Sequence, residues 1–177
     1  MIKNFDIIYL LQKEGGYKVD TPIMRSLPQS LEAEQSVIGA MIIDKSAIAK
    51  ALEKLNEEDF YRDGHKIIFK AIREMFSKDM AVDLVTLLEY LKSTDKLEKA
   101  GGVTYISEVS SSIMTTANLE AYIKIVEEKS TLRKLIRSAT SIIEESYNKQ
   151  DKVDEVLDLA QKKIFDLAEK QGSNDYE

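Results

Sequence analysis

The last third of the chain carries a helical apolar repeat that is wider than one neighbouring helix needs. From Leu119 to Val126, and again from Leu132 to Ile143, apolar residues recur at spacings of three and four. At about 100° per residue, this spacing covers roughly 140–160° of a helix. Each helix could pack against a neighbour and still leave an edge for another chain, although a single apolar position of this kind more often belongs to a core.

The polar run Lys129-Ser130-Thr131 is the only interruption between Leu119 and Tyr147. We interpret this run as the turn of an antiparallel helical hairpin, although one unbroken helix of about 30 residues also fits the periodicity. After Asn148 a separate amphipathic helix follows, and Phe165 falls off its apolar stripe. A large aromatic on a polar face suggests a second contact, whereas isolated exposed apolar residues are common.

Composition and capping signals predict an all-α fold. The 177 residues include no cysteine, one histidine and two prolines, and 44% are hydrophobic. No convincing period-2 strand pattern is present, and Ser30, Asn56, Asp63 and Asp83 each precede a short polar turn or a helical repeat as N-cap residues do. Without cysteine, a disulfide framework and nearly all zinc geometries are excluded, and a reducing cytoplasm is the expected location.

The chain carries no recognisable catalytic machinery. A phosphate-binding loop requires a Gly-Lys pair, which is absent. His65 has no second histidine or nucleophile nearby in sequence, so a structural role is expected. Helix-capping and dipole positions explain Glu57, Glu58, Asp59 and Asp63 more simply than an acid–base pair or a metal site does. We therefore expect no catalytic, cofactor or metal site in these residues.

The charge distribution argues against sequence-independent binding of nucleic acid. The net charge is −6, and residues 151–177 contribute −4 through eight acids and four bases. The small basic cluster of Arg133, Lys134 and Arg137 is interpreted as a solvated helix face. An alternative function is a helical DNA-binding regulator that uses this cluster. No run of residues approaches the apolar length of a membrane span or resembles a signal peptide.

Seven blocks of sequence, in order, resemble the N-terminal domain of the bacterial replicative DNA helicase, the DnaB family. The resemblance spans about residues 25–170. The blocks are LPQSLEAEQSVIGA (27–40), EDFYRDGHKIIF (58–69), VDLVTL (82–87), GGVTYI (101–106), ANLEAYIKIVEEKS (117–130), LRKLIR (132–137) and VLDLAQKKIF (156–165).

The resemblance implies a small helical head, a protruding antiparallel helical hairpin and a separate C-terminal linker helix. It places the head at 27–116, the hairpin at 117–149 and the linker at 150–170. Outside the resemblance, we expect a poorly ordered arm at 1–26 and a disordered tail at 171–177. In the family the hairpins pair between subunits of a hexameric ring. The matching pairing residues are Leu119, Tyr122, Ile123, Val126, Leu132, Leu135, Ala139 and Ile143.

The resemblance also implies two further partners. The primase C-terminal domain would meet the positions that match Tyr105, Ile136 and Ile142. The linker helix would dock on the ATPase domain of the neighbouring subunit, and Leu157, Ile164 and Phe165 are its expected contacts. The family's motor, with its ATP and Mg, has no counterpart in these residues, so this stretch should assemble and recruit without unwinding DNA. An orphan loader that copies this domain is a further alternative.

Overall fold

A computed structural model describes residues 26–112 and 116–172. Within these ranges every regular element is helical and no strand is present, which confirms the predicted all-α class. The predicted arm at 1–26 and tail at 171–177 lie almost wholly outside the described residues. The elements are α1 (Leu31–Ile43), α2 (Lys45–Lys54), a 3₁₀ turn (Glu57–Asp59), α3 (Asp63–Ser77), α4 (Leu84–Ser93), α5 (Leu97–Ala100), α6 (Gly102–Ser112), α7 (Leu119–Asn148) and α8 (Val153–Gly172).

Most of the predicted capping residues cap their helices in the structure. The Ser30 hydroxyl accepts from Ala33 N at 3.4 Å at the start of α1, and Asp83 accepts from Thr86 N at 2.9 Å at the start of α4. At the 3₁₀ turn Asn56 Oδ1 accepts from Glu58 N at 3.1 Å, and the Asp59 carboxylate accepts from Asn56 N at 3.0 Å. The prediction for Asp63 is wrong by one residue, because Arg62 is the N-cap of α3 and its side chain makes no capping bond.

The core of the head forms around α1. This helix buries residues on nearly its whole circumference, including Val37, Ile38 and Met41, as expected for a helix enclosed by others. Helices α2, α3 and α6 and the first turns of α7 pack against it. No helix in the described ranges combines the length and hydropathy that a membrane span requires.

The predicted turn at Lys129-Ser130-Thr131 is wrong, because α7 runs unbroken for 30 residues from Leu119 to Asn148. The chain reverses instead at residues 149–152, and α8 packs back along α7. A protruding helical hairpin therefore exists, but its second arm is the helix that we expected to be a separate linker. Val156, Ala160 and Leu167 are half-buried on the α8 face, at the three-and-four spacing that helix pairing requires.

The end of α4 carries a non-glycine residue in the left-handed region. Asp95 has φ 55° and closes a Schellman motif, in which Lys96 N donates to Leu91 O at 2.8 Å and Asp95 N donates to Lys92 O at 3.1 Å. A Cβ is disfavoured at this φ, and a carboxylate is unfavourable at the negative end of a helix.

We expect Asp95→Gly to raise the free energy of unfolding by about 0.5–1 kcal/mol, because glycine adopts this φ without steric cost. Urea denaturation with a fixed m-value measures the change. Asp95→Ala is the matched control, since it removes the charge and keeps the Cβ. Equal stability of the alanine and glycine variants would rule out backbone strain as the cause.

Candidate docking surface and its polar supports

Tyr105 is fixed in place on several sides. Its hydroxyl accepts from Gln35 Nε2 at 3.0 Å and bonds His65 Nε2 at 2.5 Å. The guanidinium carbon of Arg62 lies 3.9 Å from the ring centroid. A Cβ at Gly101, where φ is +115°, would come within 2.6 Å of Tyr105 Cδ1, so the ring packs directly on the Gly101 backbone. The ring predicted to face primase is therefore half-buried and held in one orientation.

Glu34 is the buried anchor of this arrangement. Its carboxylate is 1% exposed and accepts from Tyr61 N at 2.7 Å, from Arg62 N at 3.3 Å and from the His65 ring at 2.6 Å. With a neutral imidazole the hydrogens run in one direction, from Gln35 to Tyr105, from Tyr105 to His65 and from His65 to Glu34. His65 is fully buried in this chain, which confirms its predicted structural role.

A second polar cluster joins the head to α7. Asp59 Oδ1 accepts from the Ser130 hydroxyl at 2.6 Å and from Lys134 Nζ at 2.7 Å. Arg133, 3% exposed, donates to Pro28 O at 2.7 Å and to Asp59 O at 2.5 Å. Desolvation lowers the pKa of the Arg133 guanidinium from its ordinary value, and the charge of Glu34 opposes that shift. The polar run in the middle of α7 is thus an attachment point for the head.

The same contacts argue against a DNA-binding role for the basic cluster of Arg133, Lys134 and Arg137. Arg133 is buried, the Lys134 side chain is 37% exposed and paired with Asp59, and Arg137 is exposed. The prediction of a solvated face is wrong for Arg133, and the alternative of a DNA-binding regulator loses that residue as a phosphate contact. No group of His, Asp or Glu side chains suited to a metal ion occurs within the described ranges.

The predicted pairing residues divide into two groups along α7. Leu119, Ile123 and Val126 are buried in the core of the head, so the prediction that these three mediate subunit pairing is wrong, whereas Tyr122 is partly exposed and packs against that core. Beyond the head, apolar side chains project outward on one face that we call the hairpin stripe. The hairpin stripe consists of Leu132, Leu135, Ile136, Ala139, Ile143 and Tyr147.

The residues predicted to contact primase and those predicted to dock the linker differ in their exposure. Ile136, predicted to face primase, is 41% exposed, whereas Ile142 is half-buried. Leu157, Ile164 and Phe165 are exposed on α8, with Phe165 at 65%. Ala160, Ile164, Phe165 and Ala168 line a shallow apolar groove along this arm.

Tyr61 of the head lies near α7 just before the hairpin stripe. The guanidinium carbon of Arg133 lies 5.8 Å from the Tyr61 ring centroid, and Ile136 follows Arg133 by less than one turn of α7. We call Tyr61, Arg62 and Tyr105 the head platform. The sequence patterns did not reveal the roles of Glu34, Gln35 or Arg62. The one available signal was Arg62 itself, a cation at the N-terminal end of α3.

Comparisons with known proteins identify the family of this fold. The family model for the DnaB-like helicase N-terminal domain matches residues 26–128. The chain belongs to this family. It is 46% identical over 146 residues to the replicative DNA helicase DnaB of Geobacillus stearothermophilus, covering 82% of the chain and 32% of that protein. It is 42% identical over 150 residues to the replicative DNA helicase DnaC of Bacillus subtilis, covering 85% of the chain and 33% of that relative.

Solved structures of DnaB proteins have the same fold. The crystal structure of the N-terminal domain of the Mycobacterium tuberculosis DnaB helicase superposes with a TM-score of 0.75 at 38% identity, covering 80% of this chain and 99% of that one. A DnaB-like replicative helicase described with its interactions with primase gives a TM-score of 0.60 at 26% identity, covering 73% of this chain and 31% of that chain. The chain spans about a third of the length of the curated relatives above.

Proposed function

We propose that this chain is the oligomerisation and primase-binding part of a replicative DNA helicase that acts in the cytoplasm. The observation that carries the proposal is the hairpin stripe, which follows the residues 26–128 that the DnaB family model matches and has no covering element within the described residues. ATP, Mg and duplex unwinding would belong to a motor elsewhere in the parent protein. The absence of a Gly-Lys pair from these 177 residues is consistent with that division.

The first partner we propose is a second copy of this chain. The hairpin stripe runs from Leu132 to Tyr147, about 22 Å at a rise of 1.5 Å per residue. Its apolar side chains are each more than 40% exposed at Leu132, Leu135, Ile143 and Tyr147. A contiguous apolar face of this kind is characteristic of obligate or homomeric interfaces, and a twofold axis would let it pair with itself.

The outward residues of α8 would serve the same assembly. Leu157, Ile164 and Phe165 lie on the second arm of the hairpin, and we propose that they contact the neighbouring subunit, including its ATPase domain, in a ring built from such pairs. Their exposure supports this role, because three large apolar side chains on one short arm are costly to leave in water.

The second partner we propose is the C-terminal domain of primase. Tyr105 is half-buried with Arg62 over its ring, and Ile136 is 41% exposed, three residues after the Arg133 that lies near Tyr61. The related helicase described with its interactions with primase supports the choice of partner. Ile142 is half-buried, so its proposed contribution combines contact with primase and support of the hairpin.

We expect Ile136→Asp to weaken binding of the primase C-terminal domain by about tenfold or more, since a carboxylate would be placed in an apolar contact. Isothermal titration calorimetry with the primase domain from the same genome measures the affinity. Val85→Asp, at a position 70% exposed on α4, is the matched control. Equal affinities of the two variants would contradict the proposal.

A further inference from the structure

Arg62 occupies a position where local energetics disfavour a cation. It is the N-cap of α3, where Ser, Thr, Asp and Asn are preferred, and its side chain makes no capping bond. The N-terminal end of a helix carries a partial positive charge, so a guanidinium there is repelled. Residues that oppose their local environment are expected at functional sites.

No acid within the described residues pairs with the Arg62 guanidinium. Glu34 is close in the fold, but it is occupied by two backbone N–H groups and His65. The next residue, Asp63, pairs with Lys66 at 3.0 Å. Arg73, by contrast, pairs with Glu57 at 2.5 Å. Arg62 thus lacks the internal partner that Arg73 has.

The guanidinium is nevertheless held in a defined place. It lies over the Tyr105 ring at 3.9 Å, and that ring is itself fixed by His65, Gln35 and the Gly101 backbone. Glu34 also fixes the backbone of Arg62. A guanidinium resting on an aromatic face keeps its N–H groups for acceptors at its rim. Little conformational entropy remains to be lost when an acceptor binds.

We propose that Arg62, resting on Tyr105, binds a side-chain carboxylate of the primase domain and is the charged specificity residue of the head platform. This inference rests on the proposed function. A planar guanidinium matches a carboxylate through two parallel hydrogen bonds. A protein carboxylate fits better than a nucleic-acid backbone, because the backbone carries a negative charge at every nucleotide and would be repelled more strongly by the exposed Glu58 and Asp63 and by the net charge of −6.

Three variants test the role of the guanidinium. Arg62→Gln removes the charge, Arg62→Lys keeps the charge without the planar fork, and Lys70→Gln removes one exposed charge from the same helix. Affinity for the primase C-terminal domain is measured by calorimetry at low and high salt. We expect Arg62→Gln to weaken binding by about tenfold or more at low salt and to flatten the salt dependence. The affinity of Arg62→Lys should lie between those of Arg62→Gln and the unmodified chain, and Lys70→Gln should bind like the unmodified chain.

Unfolding midpoints separate recognition from support of the fold. Arg62→Gln should change the midpoint little, because loss of the contact with the Tyr105 ring is offset by removal of an unfavourable charge at the start of α3. Equal affinities of Arg62→Gln and Lys70→Gln, with Ile136→Asp still weakened, would overturn this inference alone. No binding of the unmodified chain to the primase domain would overturn the proposed function as well. If the unmodified chain binds a single-stranded oligonucleotide and Arg62→Gln abolishes that binding, the ligand of Arg62 is a phosphate and the carboxylate proposal is wrong.

Discussion

Glu34→Ala should lower the free energy of unfolding by about 3–5 kcal/mol. The substitution leaves Tyr61 N, Arg62 N and the His65 ring without their acceptor, in a place where Glu34 and His65 are almost completely buried. It also leaves a cavity beside the His65 ring. Chemical denaturation followed by far-ultraviolet circular dichroism measures the change.

Two variants calibrate this result. Glu32→Ala changes an exposed acid on the same helix and should cost less than about 1 kcal/mol, from the helix dipole. Glu34→Gln keeps the shape and one acceptor oxygen, so its cost should be intermediate. If Glu34→Ala lowers the free energy of unfolding no more than Glu32→Ala does, the buried hydrogen bonds of Glu34 contribute little to stability.

The double substitution Leu135→Glu and Ile143→Glu should weaken self-association by about 100-fold or more, since it places two carboxylates in each half of the proposed apolar contact. Both side chains are more than 40% exposed, so the unfolding midpoint should change little. Met80→Glu with Val85→Glu is the matched control on the head, at residues that are 42% and 70% exposed. Equal association of the two double variants would remove the hairpin stripe as the pairing surface.

Local signals along the chain predicted much of the helical architecture. Ser30 and Asp83 act as caps through bonds to residues three positions away, so their role is readable from a few neighbouring residues. Apolar periodicity likewise located α3 and α4. Boundaries set by local chemistry are therefore recoverable from sequence, and the family resemblance supplied the protruding hairpin.

Contacts between distant residues were not recoverable from those signals. Ser130 was interpreted as part of a turn because it is polar, but its hydroxyl satisfies Asp59, 71 positions earlier in the chain. Periodicity identified the apolar faces of α7, yet it could not distinguish Ile123, which is buried in the head, from Ile143, which is exposed. The Tyr105 hydroxyl bonds His65 and Gln35, which lie 40 and 70 positions earlier in the chain, and no local sequence pattern predicts such contacts.

The most direct test of the account is the mass of this chain in solution as a function of its concentration. Sedimentation equilibrium over about 1–200 µM covers the range in which an interface of this size is expected to associate. The account predicts a weight-average mass that rises from the monomer value of 20.1 kDa towards twice that value or beyond. A mass that stays at 20.1 kDa across the whole range would contradict it.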